Sequence, residues 1–304
     1  MSIGIITDST CDLPRIFREK YNIKLVPLSI HFGDEVYLDR VEMEPGEFFN
    51  KMKASEILPG TSQPPVGRFL EEFEGLADKY DRLISIHISA ELSGTYQAAS
   101  MAAGQITSTR VDVVDSASTS LGLGFLVLMS AMMADKGYSA DEIVDTLDRE
   151  KHNTNVFFTV NDLTYLKKGG RIGKAQAFLG SVLNFNPILR LSSDNGQILP
   201  HEKVRGNKRT RRKMIDLAQN ILDETDQAWI GLIKGDIEQE FARFAGDFNR
   251  MLVNTGTTNS LLSQHISPVL GSHVGPMVYG FVIFSGNIIT ELGQFNELQQ
   301  SKGD

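Results

Sequence analysis

Arg82-Leu83-Ile84-Ser85-Ile86-His87-Ile88-Ser89-Ala90-Glu91-Leu92-Ser93-Gly94-Thr95-Tyr96 runs from an apolar stretch, through a hydroxyl-rich loop, into a helical pattern. Residues 82–89 read as a strand, and a helix begins near Tyr96. The same order recurs on either side. Residues 3–7 are a strand ending in Thr7-Asp8-Ser9-Thr10, and Asp12 with Pro14 opens a helix through about Lys20, because proline is tolerated in a first turn. Residues 111–115 are another strand. Residues 118–136 after it are apolar nearly all round, which predicts a buried helix stopped by Gly137. Residues 66–80 place Phe69, Leu70, Phe73, Leu76 and Ala77 on one helical face, and Ser139 with Glu142 has capping-box spacing. Residues 24–32 are strand-like, demoted toward an edge by Pro27, and Gly33-Asp34 turns them into a strand at 36–38. Repeated strand–helix units predict an α/β domain: a parallel sheet with helices on both faces.

The second half changes character. A strand at 156–160 is followed by Gly169-Gly170, and strands at 188–191 and Ile198–Val204 flank the hairpin signal Asp194-Asn195-Gly196. Helical patterns at 207–224 and 238–252 enclose a strand at 229–234, and a last strand at 278–284 precedes a polar tail. This predicts a C-terminal α+β domain with a mainly antiparallel sheet. A chain of 304 residues also favours two domains. The boundary is expected within 153–160, giving domains 1–155 and 156–304.

Composition narrows the function. With 41% hydrophobic and 22% charged residues the chain is globular in type. The single Cys11 cannot form an internal disulfide, which fits a reducing compartment. Residues 1–8 lack the features of a signal peptide, and nowhere do eighteen apolar residues run together, so a cytoplasmic location is expected. A net charge of -8 argues against a dedicated nucleic-acid binder. The six histidines show no metal spacing, and one cysteine excludes a thiolate zinc site. Nucleotide-binding glycine motifs and a Gly-x-Ser-x-Gly elbow are missing, so no metal and no cofactor is expected.

Three loops share one design. Gly60-Thr61-Ser62-Gln63-Pro64-Pro65 and Glu91-Leu92-Ser93-Gly94-Thr95 each place hydroxyls at a predicted helix N-terminus, where open amides and the dipole favour an anion. Such residues are also ordinary N-caps. With Thr7-Asp8-Ser9-Thr10 as a third loop at a strand's carboxyl end, where open α/β sheets bind ligands, the balance shifts to a ligand. His273, in a predicted loop between Gly271 and Gly275, either reaches an anion or simply packs. Arg171, after two glycines, offers a bidentate fork or is a surface arginine at a helix start. Lys203, Arg205, Lys208, Arg209, Arg211, Arg212 and Lys213 crowd the predicted start of the 207–224 helix, where the dipole disfavours cations. They read as a docking surface for an acidic protein, anionic headgroups or nucleic acid, or as a solvated face.

Taken in order, Thr7-Asp8-Ser9-Thr10-Cys11-Asp12-Leu13-Pro14, Thr61-Ser62-Gln63-Pro64, Ser93-Gly94-Thr95-Tyr96-Gln97-Ala98-Ala99, Lys168-Gly169-Gly170-Arg171-Ile172 and Gly271-Ser272-His273-Val274-Gly275-Pro276 resemble the DegV family across residues 3–284. The resemblance implies a two-domain protein that buries a long-chain fatty acid, C14–C18. It implies that Thr61 and Ser93 hold the carboxylate. Ser62, Gly94, Thr95 and His273 are expected beside them, with Arg171 and Ser9 as further head-group or phosphate contacts. Some members deliver the acid to a fatty acid kinase that makes an acyl phosphate. A kinase partner docking through Arg205, Arg209 and Arg212, with transient membrane contact, is therefore expected, and no catalytic residue is assigned. The alternatives are an acyl hydrolase or phosphotransferase using Ser93 and His273, and a DNA-binding regulator using the basic cluster. Where the family commonly has glycine after His-Val-Gly-Pro, this chain has Met277. Burying about fourteen methylenes at about 0.8 kcal/mol each gives roughly 11 kcal/mol gross, offset in part by the costs of binding. Leu121, Phe125, Leu126, Leu128 and Met129 are expected to line the tail tunnel or to be plain core.

Overall fold

Parallel pairing starts at the third residue. In a computed structural model, which describes residues 2–179 and 185–295, strands β1 (Ile3–Asp8) and β2 (Lys24–Val26) are joined by helix α1 (Arg15–Lys20). Next come β3 (Ser29–Phe32), β4 (Glu35–Leu38), α2 (Pro45–Ala54), β5 (Gly60–Ser62), α3 (Val66–Ala77), β6 (Arg82–His87), α4 (Thr95–Ala103), β7 (Arg110–Asp115), α5 (Ser120–Asp135) and α6 (Ala140–Glu150). β2, β1, β6 and β7 form a wholly parallel sheet in that order. Every residue of β6 is buried, as befits a strand covered on both faces, and its polar members are paired, Arg82 with Asp112, Ser85 with His87 and His87 with Asp8. Phe69 and Phe73 of α3 pack on one face of this sheet with Ile6 and Leu83. The Ser139–Glu142 capping box opens α6, and Gly137 takes the left-handed conformation at the preceding stop.

Residues 24–32 are not one strand. Pro27 has no amide to donate, and the chain leaves the parallel sheet there. β3 then joins β4 and β5 in a separate three-stranded antiparallel sheet.

The second half holds β8 (Thr154–Thr159), α7 (Thr164–Lys168), β9 (Asn186–Leu191), β10 (Ile198–Val204), α8 (Asn207–Leu222), β11 (Gln227–Lys234), α9 (Glu238–Val253), β12 (Thr258–His265), α10 (Pro268–Val274), β13 (Tyr279–Phe284) and α11 (Ile289–Leu292). Six of these strands form a sheet in the order β10, β9, β8, β13, β11, β12, antiparallel except for the β11–β12 pair. α8 and α9 cover one face through Met214, Leu222, Phe244 and Phe248. α5 fills the space on the other side. It packs on β1 and β6 and also on β8, β11 and β13, so one continuous core runs from Ile5 and Ile84 through Phe125 to Trp229 and Phe284. The molecule is thus a mixed α/β structure with a parallel sheet and a mainly antiparallel one. No helix among the described residues is long and apolar enough to cross a membrane.

Candidate functional site

Thr61 lies in strand β5, registered opposite Ile30 of β3, rather than at the start of α3. The reason is Pro64-Pro65, which keeps the chain extended until α3 begins at Val66. His273 is likewise not in a loop. It occupies the last turn of α10, a helix set by Pro268 in its first turn and by Ser267, which caps the Leu270 amide. These two placements bring Thr61 Oγ1 within 2.8 Å of His273 Nε2.

The other imidazole nitrogen of His273 has no hydrogen-bond partner among the described residues and lies against Gly169. A β-carbon on Gly169 would collide with it, so glycine is required for that approach. Burial, aided by the neighbouring Arg171 charge, pushes His273 down to about 4. The ring is therefore neutral at pH 7. Arg171 donates to the Leu92 carbonyl at 3.1 Å and to the Gly169 carbonyl at 2.7 Å. Ser93, next along from Leu92, shares a 2.8 Å hydrogen bond with the Thr95 hydroxyl at the start of α4. Gly94 between them admits the side chain of Gln63, which would collide with any β-carbon there.

The contacts close a ring: Thr61 to His273, His273 to Gly169 and Arg171, Arg171 to Leu92, and Ser93-Gly94 back to Gln63. Thr61, Ser62, Gln63, Ser93, Arg171 and His273 all line one cavity of about 260 Å³. The rest of its wall is mostly aliphatic and aromatic, supplied by both halves of the chain, including Leu28, Ile88, Val156, Phe158, Ile233 and Ile266. Its size is close to the lower end of small-molecule pockets, roughly 300–1,000 Å³. Chemically, the ring offers hydroxyl, amide and guanidinium donors beside an apolar interior, an arrangement suited to a carboxylate attached to a hydrocarbon.

Other expected residues are placed differently. Ser9 is fully buried and does not line the cavity, because its hydroxyl donates to Asp39 at 2.7 Å and accepts from the Leu28 amide. Thr95 is buried behind Ser93, and Gly94 acts by making room for Gln63. Leu121, Phe125, Leu126, Leu128 and Met129 line no part of the cavity. They are fully buried where α5 is wedged between the sheets, with Phe125 packed on Trp229 and Phe295. Only Thr119 and Ser120, at the start of α5, reach the cavity. Met277 is 42% exposed and outside the lining. Ser93 and His273 face the same cavity but share no hydrogen bond, since each is engaged by a threonine. In the basic cluster, Arg211 is paired with Glu240 and Asp247, Lys213 with Glu202, and Lys203 stacks over Phe178 and Phe185. Arg205, Lys208, Arg209 and Arg212 are exposed and away from the cavity. Gln63 was not marked by the sequence as a site residue because its role depends on Gly94, a glycine far along the chain in another loop.

A family model described as "Uncharacterised protein, DegV family" matches residues 2–286. Protein DegV of Bacillus subtilis (strain 168) is 34% identical over 285 residues, 92% of this chain and 98% of its own length. A solved structure described as fatty acid binding of a DegV family protein from Thermus thermophilus superposes with a TM-score of 0.87 at 33% identity, covering 94% of this chain and 100% of the other. A second, described as a fatty acid (stearic acid)-binding protein from Eubacterium ventriosum, gives 0.82 at 26% identity, covering 94% and 98%.

Proposed function

The chain belongs to the DegV family, and from that premise we propose that it binds one long-chain fatty acid, C14–C18, with the carboxylate held by Thr61 and Ser93. The observation that carries this is the ring of polar groups around a cavity whose remaining wall is almost wholly apolar. With the proton of the neutral imidazole on Nε2, His273 donates to the Thr61 oxygen, and the Thr61 hydroxyl proton is left to donate to an arriving carboxylate. Ser93 donates from the other side, Gln63 and Ser62 extend the donor set, and the guanidinium of Arg171 supplies charge. Burial of the tail provides the affinity, while the ring selects the acid head.

The proposed role is that of a carrier rather than an enzyme, working without metal or cofactor in the cytoplasm, from two domains, 1–155 and 156–304, that share the cavity. A fatty acid kinase is the proposed recipient. It would dock on the exposed cations Arg205, Arg209 and Arg212, and a transient contact with the membrane surface would serve loading. Native mass spectrometry of the purified protein with added hexadecanoic acid is expected to show one bound acid. Thr61→Ala and Ser93→Ala are each expected to weaken binding about tenfold, the loss of one hydrogen bond to a charged group. Wild-type affinity in the double variant would remove the head-group assignment. Ester turnover abolished by Ser93→Ala would favour an acyl hydrolase instead.

A further inference from the structure

Among the described residues, the one polar interruption in the cavity wall away from the ring is the segment leading into α5. Thr119 and Ser120 line the cavity there. The Ser120 hydroxyl donates to Asp12 at 2.6 Å, and Asp12, fully buried, is paired with Arg40 at 2.7 Å. This anchors Ser120 as a donor and leaves its oxygen lone pairs able to accept. Thr119 immediately precedes the first turn of α5, yet its hydroxyl does not cap the helix. Its Oγ1 is shielded from solvent and has no hydrogen-bond partner among the described residues. Ser118, only 3% exposed, carries a second such oxygen, pressed against Gly122 in the same first turn. The Gly122 and Leu123 amides that open the helix are taken by the Thr119 carbonyl, so the Thr119 hydroxyl is not needed as a cap. Unpaired polar groups are costly in an apolar wall, and those retained call for a partner.

We propose that the cavity selects a hydroxylated fatty acid, whose in-chain hydroxyl accepts from Thr119 Oγ1 and donates to Ser120 Oγ. A hydroxyl fits this pair because it is both donor and acceptor, whereas a plain methylene leaves Thr119 unpaired. The inference rests on the carrier reading above and adds the substrate class. Nothing in the head-group ring bears on it, since the ring meets the same carboxylate in either acid.

The test is a binding series by calorimetry: hexadecanoic acid against its positional monohydroxy isomers, on the wild type and on Thr119→Val. One isomer, or two adjacent ones, is expected to bind about fivefold more tightly than the parent acid, the worth of one net hydrogen bond. In Thr119→Val the ratio of hydroxylated to parent affinity is expected to fall to unity or below. If hexadecanoic acid binds and no isomer exceeds it, the inference is overturned while the carrier reading stands. A preference that survives Thr119→Val also overturns it. If neither the parent acid nor any isomer binds, the carrier reading itself fails. The wild-type series decides the matter even if the variant does not fold.

Discussion

At the residue scale the site turns on a histidine kept neutral. Burial holds His273 at about 4, below its ordinary 6.5, so between those values the unfolded chain binds a proton that the folded chain refuses. Stability from this group is therefore complete above about pH 6.5 and is lost as pH falls toward 4. Asp39 acts in the opposite sense. Burial raises its carboxyl to about 7 from an ordinary 3.8, against the pull of Arg40, so its contribution is present in acid and lost as pH rises through 7. The two slopes oppose each other, and the clean reading is variant against wild type. His273→Gln, compared by urea midpoint at pH 7.5 and pH 4.5, should gain at the acid end relative to wild type by on the order of 3 kcal/mol. An equal offset at both pH values would count against a buried neutral ring. Of the residues in the ring, Thr61, Ser62, Ser93, Arg171 and His273 were legible in the chain, by loop chemistry or by motif. Gln63 was not, because its contact is with backbone brought near by the fold.

At the element scale, α5 is the member on which both halves rest. Its all-round apolar sequence announced a buried helix, but not what it would be buried against. Wedged between a parallel and an antiparallel sheet, it needs close backbone approach on the antiparallel side, where Gly231 of β11 lies under Leu121. A β-carbon there would sit 2.5 Å from the leucine side chain. Gly231→Ala should therefore cost about 1–3 kcal/mol through overpacking. Chemical denaturation should show this as a lower midpoint with an unchanged slope, and Leu121→Ala in the same chain should recover part of the loss. Two elements that the sequence did not reveal share a cause. β12 carries Ser260 as a fully buried residue, and α10 is a seven-residue helix containing a glycine, so neither shows a clean hydrophobic period. The division of 24–32 into two sheets at Pro27 is a tertiary decision that proline permits and does not dictate.

At the scale of the whole molecule, an acidic chain of net charge -8 carries exposed cations around the start of α8. The fold neutralises part of the cluster, through Arg211 on α9 and Lys213 on β10, and leaves Arg205, Lys208, Arg209 and Arg212 on the surface. Reversing Arg209 and Arg212 to Glu should weaken the proposed docking to a fatty acid kinase at least tenfold, with a dependence on salt, and leave fatty-acid affinity within twofold. Pull-down and calorimetry on the same variant check both halves, and unaltered docking would assign these cations to solvation. The chain alone determined most of the succession of strands and helices, the change of sheet type at mid-length and the family motifs, because these rest on periodicity and on short-range hydrogen bonding. Only the tertiary structure decided where the apolar cavity lies. The greasy side chains of α5 read equally as tunnel lining or as plain core, and packing made them core. A cavity is the space that side chains from distant segments fail to fill, and no local pattern encodes that space.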